Sequence, residues 1–209
     1  MRRHDSVESR AAILRAAAQI YAENGLSGAR TDAIAAAAGV NKALLYYYFK
    51  SKDSLYQAVV GGQLREFDQQ VKELLTAPGP AGATLLRYVS CHFDFIGDHP
   101  HYPRIFQRMM MEGDRTFARI IREHSYPLMK LLTGVIARGI KAGEFRDLDP
   151  AHTLVSIAGL TGHYFNIAPA IRLITGEDPY SKANLAKRKA EVLKFIRYAL
   201  FRNPEAAAL

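Results

Sequence analysis

The chain has 209 residues, 49% of them hydrophobic, which is enough for one larger domain or two small ones with a sizeable core. Its single cysteine, Cys91, excludes an intramolecular disulfide and a cysteine-cluster metal site, and no apolar run is long enough to span a bilayer, so a membrane protein is not expected. The net charge of +8 suits a polyanionic partner.

The opening MRRHDSVESR is basic but lacks a following apolar stretch, so it does not read as a secretory signal, and a cytoplasmic protein is expected. Arg2 and Arg3 read as a mobile arm able to reach a phosphate or the minor groove. Asp5 with Glu8 resembles a capping box that opens a first helix. Ile13, Leu14, Ala17, Ile20 and Tyr21 then recur at helical spacing, and Asn24-Gly25 ends that helix.

Residues 31–53, TDAIAAAAGVNKALLYYYFKSKD, carry the strongest signal. Thr31 is a candidate N-cap, with Asp32 favourable at the same positive helix end. Ile34, Ala35 and Ala38 share one face, and Gly39 breaks the helix where φ > 0 is needed. Asn41 can cap a second helix whose apolar face restarts at Val40 and Leu45. The alanines at 35–38 permit a close helix crossing. This is the layout of a helix-turn-helix, with Lys42 to Tyr48 as its recognition helix. Tyr46, Tyr47 and Tyr48 point about 100° apart, so they cannot all be buried. Phenol hydroxyls beside lysines suit phosphates and base edges.

These residues resemble the TetR/AcrR family of bacterial transcriptional repressors. The likeness rests on Gly25 to Thr31, on Ile34 to Gly39, and on the run Val40-Asn41-Lys42-Ala43-Leu44-Leu45-Tyr46-Tyr47-Tyr48-Phe49-Lys50-Ser51-Lys52. The family usually reads Val-Ser-Lys-Gly-Thr-Leu-Tyr-Tyr-His-Phe-Lys-Ser-Lys there, so this chain departs at Asn41, Ala43, Leu44 and Tyr48. The resemblance implies DNA binding by Thr31, Asn41, Lys42, Ala43, Leu44, Tyr46, Tyr47, Tyr48, Lys50 and Lys52. In this reading Thr31, Tyr47 and Lys52 hold phosphates, while Lys42, Ala43, Leu44 and Tyr46 face base edges and Tyr48 lies at the rim. Ala43 and Leu44 could reach a thymine methyl.

After Phe49, Ser51 with Asp53 is expected to cap a long helix through Leu55, Val59, Leu64, Val71 and Leu75. Gly61-Gly62 in its middle serves either as a hinge or for close helix packing. Thr76-Ala77-Pro78-Gly79-Pro80 is the clearest linker. Helices are then expected over 81–97, 102–112 and 114–142, the last kinked at Pro127. Asp149-Pro150 opens a helix over 150–168 that is apolar nearly all round, and Ser181 caps a last helix to about Phe201. Residues 182–202 hold seven Lys/Arg against Glu191 alone, which reads as a solvated face.

The fold expected is therefore all-α, with a three-helix helix-turn-helix head over 1–53 and a helical-bundle body over 54–209 for effector binding and dimerisation. The resemblance implies a homodimer on a palindromic double-stranded DNA operator, with an interface from Ser156, Gly159, Leu160, His163, Leu193, Ile196 and Arg197. It also implies a body cavity for a small, largely apolar effector. Candidate polar groups are His92, Arg108, Glu112, His124, Tyr126 and Asn166, and candidate walls are Phe93, Phe95, Phe106, Met109, Met110, Leu128 and Phe165. No cofactor is expected. The histidines lack metal-site spacing, and no nucleophile elbow or phosphate loop marks an enzyme. The alternative is a helical small-molecule carrier with an architectural DNA-binding head.

Overall fold

The computed structural model describes residues 3–113 and 115–205, except for the side chains of residues 3–6, 63, 66 and 115. The expected arm side chains at Arg2 and Arg3, the Asp5 cap and the tail past residue 205 lie outside the described residues. The chain forms α1 (Arg3–Gly28), α2 (Thr31–Ala37), α3 (Lys42–Phe49), α4 (Lys52–Thr76), α5 (Ala81–Asp98) and α6 (Tyr102–Glu112). There follow α7 (Arg115–Ile120), a π-helical turn (Ile121–Ser125), α8 (Tyr126–Lys141), α9 (Pro150–Asn166), α10 (Ala168–Thr175) and α11 (Lys182–Leu200). Among the described residues there is no strand, only an isolated bridge between Phe145 and Phe201. Nor is any single described helix long and apolar enough to cross a membrane.

The chain divides into two compact units, Met1–Glu66 with His101–Ile121, and Phe67–Pro100 with Arg122–Leu209. In the first, the α1 stripe is buried at Ile13, Ala17 and Tyr21, and it meets Ile34 of α2, Leu45 and Phe49 of α3, and Leu55 and Tyr56 of α4 in the buried set of this unit. Gly25 has φ 69°, which ends the regular helix as its sequence position suggests. The unexpected member is α6, which packs on α1. Arg108 donates from Nη2 to the Glu23 carbonyl at 2.7 Å, and Met109 is fully buried.

The second unit is a bundle of α5, α8, α9 and α11 around Leu86, Phe93, Ile136, Ile157, Phe165 and Val192. Its α5 N-terminus is capped from far away. The Glu144 carboxylate accepts from the Ala81 and Gly82 amides at 3.0 and 2.7 Å, a negative charge at the positive end of a helix dipole. Phe145 and Phe201 meet edge-on beside it, with ring centroids 4.9 Å apart.

The helix expected over 114–142 is three pieces. Pro127 has no N–H and its ring excludes the carbonyl four residues back, so the break spreads into the five-residue π-turn before it. Asp149 accepts from the His152 amide at 2.8 Å and Ser181 from Asn184 at 3.3 Å, so both start signals mark real helix ends. The α9 helix stops at Asn166 rather than 168, and α10 follows, a short helix the sequence pattern did not suggest. Its Leu173 and Ile174 are exposed, so it lacks the buried stripe that periodicity detects.

Within α4, the helix continues through Gly61-Gly62. A Cβ at Gly61 would meet only the end of the Arg65 side chain, and at Gly62 no described atom within 4 Å. These glycines therefore do not serve a close helix crossing. At Gly139, by contrast, a Cβ would overlap the Phe145 ring. Gly62→Ala should stabilise the protein by about 1 kcal/mol through helix propensity. Gly139→Ala should destabilise it by about 1–3 kcal/mol through overpacking. Denaturant titration of both variants checks the opposite signs.

Candidate nucleic-acid interface and body groove

The turn between α2 and α3 is set by Gly39, at φ 66°, and by Asn41, whose side chain accepts from the Leu44 amide at 2.8 Å. Asn41 is thus the cap of α3, and its exposed side chain is already engaged there. Thr31 is not an N-cap: Arg30 holds that position without a side-chain bond, and Thr31 is the first helical residue. Its hydroxyl instead lies 3.3 Å from the Tyr46 hydroxyl, which ties the start of α2 to the outer face of α3.

On α3, Leu45 and Phe49 are buried. Lys42, Ala43, Tyr46 and Tyr47 are exposed, the spacing of one helical face. Tyr47 is open, at 67% against 37% for Tyr46, and its ring centroid lies 5.3 Å from that of Tyr48. Tyr48 and Leu44 are half-buried. Lys50 turns the chain at φ 48° and places its ammonium 5.8 Å from the Tyr47 ring centroid. Lys42 pairs with Asp32 across the motif at 2.9 Å, and that hydrogen-bonded carboxylate raises the ammonium's pKa. The pair is open to solvent, so it is easily exchanged for another anion.

Lys52 takes a different place from the one expected. Its ammonium donates to the Ser27 and Ala29 carbonyls, each at 3.2 Å, while its own carbonyl accepts from the Tyr21 hydroxyl at 3.0 Å. Half-buried and doubly engaged, Lys52 braces the end of α1 against the start of α4. Burial pushes the Tyr21 phenol up, so it stays a donor. Ser51 and Ser54, rather than Asp53, cap α4: each amide donates to the other's hydroxyl at 3.1 Å.

The expected ligand residues fall in both units. Phe106, Arg108, Met109, Met110 and Glu112 belong to α6 and the first unit. Arg108 is held by α1, Met109 is core, and Met110 and Glu112 are exposed. In the second unit, Phe93 and Phe165 are core partners at 5.0 Å, and Tyr126 and Asn166 face solvent. Phe95 stacks on Phe67 at 4.5 Å. His92 bonds Thr161 through Nδ1 at 3.1 Å and stacks on Tyr88 with centroids 5.6 Å apart. Desolvation lowers its pKa to about 4. Cys91 is half-buried, and burial raises its pKa, which disfavours the reactive thiolate.

His124 and Leu128 do line a groove of about 930 Å³, between the second half of α4 on one side and the π-turn and α8 on the other. His124 is buried and its Nδ1 contacts the Asp68 carboxylate. Among the described residues, no three His, Cys, Asp or Glu side chains gather as a metal site would need.

The expected dimer residues also separate. Leu193 and Ile196 lie in the body's own core, on the inner side of α11. Leu160 and Arg197 are half-buried, while Ser156, Gly159 and His163 are exposed. The large apolar groups left open on α9 and α11 are Val155, Phe195 and Tyr198. On α11 the inner stripe carries Leu193 and Ile196, and the outer one Phe195 and Tyr198.

A sequence model described as bacterial regulatory proteins, tetR family, matches residues 13–59. A second, described as the C-terminal region of YcdC-like proteins, matches residues 62–202. The chain belongs to the tetR family of bacterial regulatory proteins, and is a DNA-binding transcriptional regulator. It is 30% identical over 172 residues to the HTH-type transcriptional regulator RutR of Escherichia coli K12, covering 79% of this chain and 77% of that protein. Its fold is like that of the ketosteroid transcriptional regulator KstR2 of Mycobacterium tuberculosis, with TM-score 0.78 at 21% identity over 93% of this chain and 95% of that one. It is also like AibR in complex with isovaleryl coenzyme A and operator DNA, with TM-score 0.74 at 18% identity over 90% and 97% of the two chains.

Two outcomes follow for this tetR-family chain. Lys52→Ala should lower stability by about 1–3 kcal/mol, because charged hydrogen bonds to two carbonyls are lost, whereas Tyr47→Ala should stay within about 0.5 kcal/mol of the parent. Equal melting shifts would contradict this division. For His92, a lowered pKa means that its stabilising contribution is complete above the unfolded value of 6.5 and is lost as pH falls towards about 4. His92→Gln should therefore flatten the stability profile between these pH values, by up to about 3 kcal/mol.

Proposed function

We propose that this regulator is a homodimeric cytoplasmic repressor that reads a palindromic DNA operator through α3. A small, largely apolar ligand, held in the body, releases it, and the chain carries out no reaction of its own. The observation that carries this reading is the division of α3 into a buried side, Leu45 and Phe49, and an open side, Lys42, Ala43, Tyr46 and Tyr47. Ammonium and phenol groups on one helix face suit phosphate oxygens and base edges, and Ala43 offers a methyl contact to thymine. Asn41 acts through the helix start it caps, and Lys50 through the Tyr47 ring beneath it. Lys42 exchanges its Asp32 partner for the DNA.

Two copies are needed because one eight-residue recognition helix reads few base pairs, and a dimer doubles the contacts on a palindrome. The open apolar side chains Val155, Phe195 and Tyr198 support α9 and α11 as the pairing face, with Ser156, Gly159 and His163 between them. The groove at His124 and Leu128 supports a ligand site in the body. A ligand there must prefer the DNA-incompetent state, and release from mostly bound to mostly free needs about 5 kcal/mol of preference.

A labelled duplex from DNA flanking the protein's own gene, titrated against scrambled competitor at several salt concentrations, tests the reading. Saturable binding should survive the competitor and weaken with salt. Lys42→Ala and Tyr47→Ala should each weaken it about tenfold or more without shifting the melting transition. Equal, weak binding of both duplexes, unchanged in these variants, would refute the reading. Phe195→Glu should convert the dimer to monomer in sedimentation velocity, and an unchanged sedimentation coefficient would move the pairing face elsewhere.

A further inference from the structure

The groove in the second unit has a chemistry that narrows its ligand. Its floor is apolar, from Leu75 on α4 and Leu128, Leu131 and Val135 on α8. Its rim is basic, from Lys72, Lys130 and Arg138. All three cations are exposed, and among the described residues none of them is in a salt bridge. Asp68 and Glu123 also line the groove. Both lie toward the π-turn, and Asp68 is occupied by His124. The charge is therefore sorted along the groove, with carboxylates at the His124 end and cations beyond them.

The two walls leave the Asp68–His124 contact and continue in the same chain direction. The α4 wall runs from Asp68 to Thr76, about 12 Å of helix, and the α8 wall from His124 to Arg138, about 21 Å. Gly134 sits about two-thirds of the way along this wall, where an added Cβ would meet no described atom within 4 Å. A mid-helix glycine normally costs helix stability. Here it keeps the floor of the groove clear.

We propose that the groove binds an amphipathic organic anion, its alkyl tail laid over Leu75, Leu128, Leu131 and Val135 and its anionic head drawn to the basic rim that Lys72, Lys130 and Arg138 form. The inference rests on reading the groove as the effector site and adds the ligand's class. An apolar floor alone would accept a neutral lipid equally well. The unpaired cations make the difference, since they reward a head group that a neutral ligand lacks. The carboxylates at the other end set the orientation, because an anionic head there would face Asp68 and Glu123.

The test uses the full-length protein and calorimetric titration of decanoate, with decanol and acetate as controls. Decanoate should bind saturably, and the neutral alcohol and the short anion at least about tenfold more weakly. The double variant K72E/R138E should lose about tenfold or more of the decanoate affinity while decanol binding is unchanged. Gly134→Leu, which fills the groove, should weaken both. Absence of decanoate binding, equal affinity for decanol, or insensitivity to the charge reversal would each overturn the proposal. Duplex binding is measured on the same samples without ligand. Duplex binding kept while decanoate fails to bind removes only the ligand class. Decanoate binding kept while the duplex is ignored removes the regulator reading instead.

Discussion

The exposed face of α3 depends on the two bonds that the Lys52 ammonium makes to the Ser27 and Ala29 carbonyls. Those carbonyls end α1 and lead into α2, where a backbone acceptor without a partner is costly. One cation satisfies both and fixes where α4 begins. Tyr21 closes the same corner from within α1 by donating to the Lys52 carbonyl, and packs edge-on against Tyr56 at 4.8 Å. With α1, α2 and α4 held in this way, α3 buries Leu45 and Phe49, and the opposite side of a short helix has nowhere to go but outward. The arrangement assigns the two lysines of the motif opposite roles: Lys42 stays open in an exchangeable pair, and Lys52 becomes scaffold.

The body follows another constraint, the need to end helices without orphaned polar groups. Glu144 reaches the α5 N-terminus from more than sixty residues away, and the Phe145–Phe201 contact packs beside it. At Pro127 the chain cannot continue an α-helix, and the resulting π-turn carries His124 to Asp68 at one end of the groove. Pro127 itself lines that groove.

Much of this was legible in the residues. Gly39, Asn41 and Leu45 each need one backbone or burial state, and local chemistry was enough to read the helix-turn-helix from them. Asp149 and Ser181 were equally local, and their caps form as the sequence suggests. What escaped was non-local. Lys52 finds its acceptors, the Ser27 and Ala29 carbonyls, more than twenty residues back, which the motif alone does not show. Arg108 bonds the Glu23 carbonyl, and nothing in the α6 sequence says that it packs on α1. Leu193 and Ile196 were assigned to the interface because a stripe at helical spacing is the same whether its partner is the same chain or another. Phe195 and Tyr198, each two residues further and so on the far side of the helix, are the side chains left open.

The central claim is that DNA meets the Tyr46 and Tyr47 face of α3, and not the basic stretch of α11. Hydroxyl-radical footprinting of the protein, with and without duplex from the DNA flanking its gene, tests it directly. The account predicts that Tyr46 and Tyr47 are protected on DNA binding while oxidation of Tyr126 on α8 is unchanged. Unchanged oxidation of Tyr46 and Tyr47, with protection confined to residues 182–202, would contradict it.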